Sequence, residues 1–202
     1  MFQSLLTYCM ARRSKGIVQL HHLGMDYMLL ILYCRSKKQV VGPGVSTLGG
    51  VTLKFLLPHK HLAIAEFLRF KNLASPDGVL PTIYRAEING CIYYSRQYKR
   101  MQKRNSYTVI YNDSQGTKCF GFVDCFVFIH NKLIAHINHI NPLDISCTEH
   151  FNIHTSCCTH IIPMKTTSSY SAVYASNITE KCLFIDFSHR QYLLTFPSFL
   201  FD

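Results

Sequence analysis

The stretch Thr82-Ile-Tyr-Arg-Ala-Glu-Ile88, Asn89-Gly90, Cys91-Ile-Tyr-Tyr-Ser-Arg-Gln-Tyr98 decides the fold class of this chain. Thr82 to Ile88 alternates in the period-2 manner of a half-buried strand. Asn-Gly follows, the pair that most readily takes positive φ at both central positions of a type I′ turn. The twist of that turn matches two antiparallel strands, so the residues predict a hairpin of strands 82–88 and 91–98.

Working outward, the β signal continues toward the C-terminus. Ser106 to Tyr111 reads as a strand and Asn112 to Thr117 as a polar turn containing Gly116. Lys118 to His130 is dense in Phe, Val and Ile, and Asn131-Lys132 is expected to turn it into a strand from Leu133 to Ile140. After a loop, 159–164, 171–175, 181–187 and 192–196 complete the set. Short strands in this number, with neither an internal repeat nor βαβ alternation, predict a mainly β fold, a small antiparallel barrel or sandwich over 81–198.

Toward the N-terminus the period changes. Leu62, Ala65 and Leu68 fall near helical intervals, widened by Ile64, Phe67 and Phe70, while Glu66, Arg69 and Lys71 supply a polar side. One short helix is expected over 61–73, within a lead-in of 51–80, with Pro76-Asp77-Gly78 as its stop. Residues 1–50 read as an irregular basic N-terminal arm, or as a piece of something larger, interrupted by Gly42-Pro43-Gly44 and Gly49-Gly50. Its apolar run, Tyr27 to Cys34, is too short for the roughly 20 residues of a membrane-spanning helix. It also sits late for a signal-peptide core, behind His21, His22 and Asp26.

Composition bounds the class of partner. At 48% hydrophobic the chain can build a core and is not a disordered tail. It carries 21 Lys and Arg against 11 Asp and Glu, a formal charge of +10, which favours anionic partners. The excess is uneven: residues 1–81 hold 10 basic and 3 acidic side chains, residues 82–202 hold 11 and 8. Nine cysteines, an odd number without repeating spacing, argue for reduced thiols inside the cell rather than a secreted disulfide framework. Cys91, Cys119, Cys125 and Cys182 fall in strand-like runs and are expected as small core residues. The triplets Asn112-Asp113-Ser114 and Asn177-Ile178-Thr179 match a glycosylation pattern that an intracellular chain does not use.

Two segments carry candidate chemistry. Arg96, Lys99, Arg100, Lys103 and Arg104 place five cations and no acid in nine residues, with Tyr98 among them and Tyr93, Tyr94 and Tyr107 adjacent. Cations neutralise phosphates and aromatic faces stack on exposed bases, so the mixture suits nucleic acid. The same residues also suit a solvated loop whose tyrosines belong to the core. The second segment is Cys147-x2-His150-x3-His154-x2-Cys157-Cys158-x-His160. Zinc takes four such ligands, but a zinc module normally divides them into two knuckles, and this stretch does not. In a chain with 9 Cys and 11 His such a cluster arises easily, so no metal and no cofactor are expected. Asp124, Asp144, Glu149 and Asp186 offer carboxylates that nothing in the sequence joins into a set. Neither a phosphate-binding Gly-Lys-Ser/Thr loop nor a Gly-x-Ser-x-Gly elbow is present, and no catalytic residue is expected.

Several phrases then resemble a known group. Tyr84-Arg85-Ala-Glu-Ile-Asn-Gly-Cys-Ile-Tyr93-Tyr94-Ser95 leads into Tyr98-Lys99-Arg100, Lys103-Arg104-Asn105-Ser106-Tyr107-Thr108-Val109, Gly121-Phe122-Val123 and Asn177-Ile-Thr-Glu-Lys-Cys182. Over roughly 50–197 this order resembles the C-terminal β-rich region of uncharacterised transposon-derived proteins that accompany transposase-like domains. The resemblance implies that any catalytic acids lie in a separate upstream domain. Such regions end on Pro-Asn with an acid soon after, and Phe196-Pro197-Ser198 departs from that. Ile178-x2-Lys181-Cys182 also resembles a phrase of bromo-adjacent homology domains, too short to imply a site. The sequence therefore predicts a non-enzymatic intracellular domain of transposon origin, nuclear in one reading. Its expected partners are DNA or RNA through Arg96, Tyr98, Lys99, Arg100, Lys103 and Arg104, or a protein, and not a membrane. A zinc-stabilised protein-interaction module is the alternative, and an unrecognised hydrolase the other.

Overall fold

A computed structural model describes residues 38–55, 58–74, 79–98, 106–144, 160–187 and 190–195. Twelve strands and one helix lie among them: β1 Lys38–Gly42, β2 Val45–Leu48, β3 Thr52–Phe55, α1 Pro58–Phe70, β4 Val79–Ile83, β5 Arg85–Ile88, β6 Cys91–Tyr94, β7 Thr108–Asn112, β8 Lys118–Ile129, β9 Lys132–Pro142, β10 Ile161–Tyr174, β11 Ile178–Phe187 and β12 Arg190–Thr195. A short 3-10 turn, Ala175–Asn177, joins β10 to β11.

All pairings are antiparallel. One sheet runs β1-β2-β5-β6 and the other β3-β4-β8-β7-β11-β12-β10-β9, with β9 returning to β8. That last pairing closes six strands, β7 to β12, into a barrel. β8 is long enough to serve both parts: residues 118–122 pair with β7, and Phe126 and Val127 pair with Ile83 and Thr82 of β4. The mainly β expectation with one short helix is met, and the closed ring makes the fold a barrel with extra strands.

The core follows from strand alternation. Ile110, Phe122, Ile140, Met164, Cys182 and Leu193, one residue from each barrel strand, form one buried cluster. Alternate positions on the same strands, among them Val109, Val123 and Ile137, join a second cluster with Val45, Ile83, Ala86, Ile88 and Tyr93 of β2, β4, β5 and β6. The third cluster packs Ile64 and Leu68 of α1 on Cys125, Val127, Ile129, Ile134 and Ala172.

The Asn89-Gly90 hairpin forms as expected, with φ +50° and +80° at its two turn residues and Ile88 paired with Cys91. Its strands are shorter than expected, because the chain breaks at Tyr84 and again after Tyr94. Gly90 has open space where a side chain would go, so a substitution there is opposed by backbone conformation alone. Gly90→Val is expected to cost about 1–2 kcal/mol, read as a lower urea midpoint at unchanged slope.

Other expectations shift by identifiable local chemistry. Residues 38–48, read as part of an irregular arm, form the β1–β2 hairpin, because Pro43-Gly44 is a turn pair rather than an interruption and Gly44 takes φ +66°. The β8–β9 turn is His130-Asn131, φ +49° and +58°, one residue earlier than expected, since Ile129 pairs with Lys132. The stretches 159–164 and 171–175 belong to one strand, β10, whose register slips between Thr166 and Tyr170. The helix begins at Pro58 and stops at Phe70. Asn72 adopts φ +54°, and the amides of Asn72 and Leu73 bond to the carbonyls of Arg69 and Leu68, a Schellman end that precedes Pro76-Asp77-Gly78.

Candidate functional site

The described residues hold two places where polar chemistry concentrates, and both meet at one bulge. In the β8–β9 ladder Val123 faces Ile137, yet Cys125 faces His136, so Asp124 is the extra residue on β8. A bulge re-aims side chains that a regular strand would send to alternate faces. Here it brings an acid and a thiol, consecutive in sequence, to the same imidazole. The nearest ligand atoms of Asp124, Cys125 and His136 all lie within 4.8 Å of one another, and all three residues are buried.

Three further side chains complete this cluster. Lys60, from the first turn of α1, places Nζ 2.7 Å from Oδ2 of Asp124. Gln97 donates Nε2 to the same oxygen at 3.0 Å and accepts Lys54 Nζ at 3.1 Å through Oε1. His136 Nδ1 stands 3.6 Å from that oxygen, too far for a hydrogen bond, so the contact is electrostatic. Burial works to raise the Asp124 carboxyl, but His136 and Lys60 outweigh it and hold the group well below the usual carboxylate range. Burial, with Asp124 alongside, pushes the Cys125 thiol up to about 12. The His136 ring is fully buried and stacked on Tyr170, centroids 5.0 Å apart at 11°, and neither ring nitrogen has a hydrogen-bond partner.

The second place is the surface where the chain leaves β6. Arg96 anchors the bulge from outside, donating its amide to the Val123 carbonyl at 2.8 Å. Its exposed guanidinium lies over Phe122 at 5.0 Å and Tyr107 at 5.9 Å. Tyr98 is half-buried, its ring 5.4 Å from that of Tyr94 and tilted 36°, with the Arg85 guanidinium 5.2 Å from its centroid. Lys54 covers Tyr84 at 4.9 Å. Cations are thus already seated on aromatic faces here. Lys99, Arg100, Lys103 and Arg104 lie outside the described residues; of the predicted nucleic-acid set the structure describes Arg96 and Tyr98, each against different aromatic or cationic partners.

The other sequence candidates fare differently. Cys147, His150, His154, Cys157 and Cys158 lie outside the described residues, and His160 is exposed just before β10. Asp144 is exposed just after β9 and Asp186 is exposed on β11, Glu149 lies outside the described residues, and Asp124 sits in its buried cluster. Of the four strand cysteines expected in the core, Cys125 and Cys182 are buried, Cys119 is partly so, and Cys91 is exposed.

A cleft of about 360 Å³ lies beside the cluster, between α1 and the β7–β8 turn, lined in part by Glu66, Lys71, His139 and Tyr170. The Tyr111 hydroxyl is 2.7 Å from His139 Nδ1. Burial holds His139 toward its neutral form, against the opposing pull of Asp113, which fits a ring that accepts from the phenol.

Sequence reading missed Lys60, Gln97 and His136. The signal it had was Asp124 itself, a carboxylate inside the apolar run Gly-Phe-Val-Asp-Cys-Phe-Val-Phe-Ile, which demands a buried partner. No helix among the described residues is long and apolar enough to cross a membrane. No protein-family model matches the chain, and no curated protein and no solved structure matches it either.

Proposed function

We propose that this chain is a non-enzymatic nucleic-acid-binding domain whose contact surface is the aromatic and basic face at the exit from β6. The stack of Arg85, Tyr98 and Tyr94 carries the reading. It stands at the root of a segment that adds Lys99, Arg100, Lys103 and Arg104 without an acid. Arg96, on the same exit segment, is exposed and lies over the Tyr107 ring. Phosphates take the cations, and the tyrosine faces offer stacking platforms for unpaired bases.

Salt dependence of binding tests the proposal. If Arg96, Lys99, Arg100, Lys103 and Arg104 all contact duplex phosphates, log K is expected to fall with log salt at a slope near about −4.5, from about −0.9 per contact. Reversing Lys99 and Arg100 to Glu should weaken binding to all sequences alike and flatten the slope by roughly 2, since phosphate contacts position without specifying. Reversing Arg12 and Arg13 in the same chain controls for the basic N-terminal residues. An affinity and slope indifferent to the change at 99 and 100 reject the surface.

A further inference from the structure

We infer that Asp124, Cys125 and His136 form a site for one thiophilic divalent ion of the zinc class, which competes with the Lys60 ammonium for the Asp124 carboxylate. The inference is independent of the nucleic-acid surface and of the Cys147–His160 segment.

Geometry comes first. The three ligand atoms lie within 4.8 Å of one another. Zinc bonds of about 2.0–2.3 Å place tetrahedral ligands roughly 3.3–3.8 Å apart, so closing around an ion takes about an ångström of side-chain adjustment. A mixed oxygen, sulfur and nitrogen set suits zinc and its neighbours rather than magnesium or calcium, which take oxygen.

His136 supplies a second, independent reason. Its ring is 0% exposed and neither nitrogen has a hydrogen-bond partner, the Asp124 oxygen standing 3.6 Å from Nδ1. A buried polar group in that state is costly and uncommon. An ion bound at one nitrogen and held between His136 and Asp124 removes the deficit at that atom. The bulge is the device that makes the set, since only the extra residue on β8 lets neighbours 124 and 125 address one point.

Lys60 explains how the cluster stands without an ion. Its ammonium, 2.7 Å from Asp124, supplies the positive charge that the carboxylate requires. Lys60 sits on the first helical turn with its side chain 15% exposed, on a flexible stem that can turn to water. Loading is therefore an exchange: the ion enters, the ammonium leaves for solvent, and Cys125 releases its thiol proton to water as the metal–sulfur bond forms. Three protein ligands leave a fourth position for water.

Cobalt(II) is the probe, titrated into the reduced full chain. A thiolate-to-cobalt charge-transfer band with the intense visible absorption of a tetrahedral ion is expected. It should persist when Cys147, Cys157 and Cys158 are all changed to Ser, and vanish in Cys125→Ser. Lys60→Met should bind cobalt at least about tenfold more tightly, because a like charge has left the site, and zinc should raise its unfolding midpoint more than that of the wild type. A band that survives Cys125→Ser, or disappears with the other three cysteines, overturns the assignment. Should Cys125→Ser fail to fold, the Lys60→Met arm decides: unchanged cobalt affinity together with no zinc-dependent gain in stability overturns it equally.

Discussion

Lys60→Met, measured in a chelating buffer, is expected to lose about 3–5 kcal/mol of folding stability, because it strands a buried carboxylate whose Lys60 partner has gone. Asp124 depends on two side chains from distant segments, Lys60 and Gln97, and on a histidine beyond hydrogen-bonding distance. Gln97 can still donate to the carboxylate, but a neutral amide does not replace a charge. The loss should be far from additive with changes at Asp124. Replacing Lys60 with Met and Asp124 with Val together removes both charges, and the double variant is expected to be more stable than Lys60→Met alone. Chemical denaturation of the two single variants and the double variant supplies the cycle. A Lys60→Met loss below about 1 kcal/mol, the range of an exposed pair, would mean that the Lys60–Asp124 contact is solvated in solution.

Gly121→Val is the second large effect, and its cause is steric. Gly121 lies on β8 between Val109 of β7 and His139 of β9. A Cβ there would collide with Ile137 Cγ2 and stand 2.8 Å from the Asn138 carbonyl oxygen. The oxygen is main chain in a barrel strand and cannot move aside without disturbing the ladder. Overpacking of this kind costs about 1–3 kcal/mol, with Gly121→Ala toward the lower end and Gly121→Val at the upper end or beyond. The cycle with Ile137→Ala identifies the contact: the two changes should be coupled favourably, since shortening the isoleucine makes room for the new side chain. Strict additivity would place the strain at Asn138 instead.

Most of the barrel was legible because its strands are long, apolar and punctuated. The Asn89-Gly90 pair and the apolar density of 118–130 are local facts that local reasoning can use. Legibility ended where two positive-φ residues were not the usual pair: His130-Asn131 makes the β8–β9 turn, while Asn131-Lys132 looked the better candidate. It also ended at register. Nothing in Val123-Asp124-Cys125 announces a bulge, since its existence depends on which residue of β9 faces which residue of β8. The buried cluster was illegible for the same reason, as Lys60 and His136 reach Asp124 from a helix and a strand that only tertiary structure brings there. The basic surface was legible in composition, and what the structure adds is the stacking of Arg85 on Tyr98 and of Arg96 on Tyr107 and Phe122.

The manner in which the barrel closes sets the order in which it can be made. β7–β8, β8–β9 and β11–β12 are hairpins between sequence neighbours, able to assemble on the microsecond scale. The ring shuts only when Lys181 finds Val109 and Ile178 finds Tyr111, partners some seventy positions apart. Until then β7 and β11 each keep a row of unpaired amides, an invitation to a second molecule in the same condition. Folding in milliseconds to seconds, with refolding yield falling as protein concentration rises, is the behaviour such long-range closure dictates.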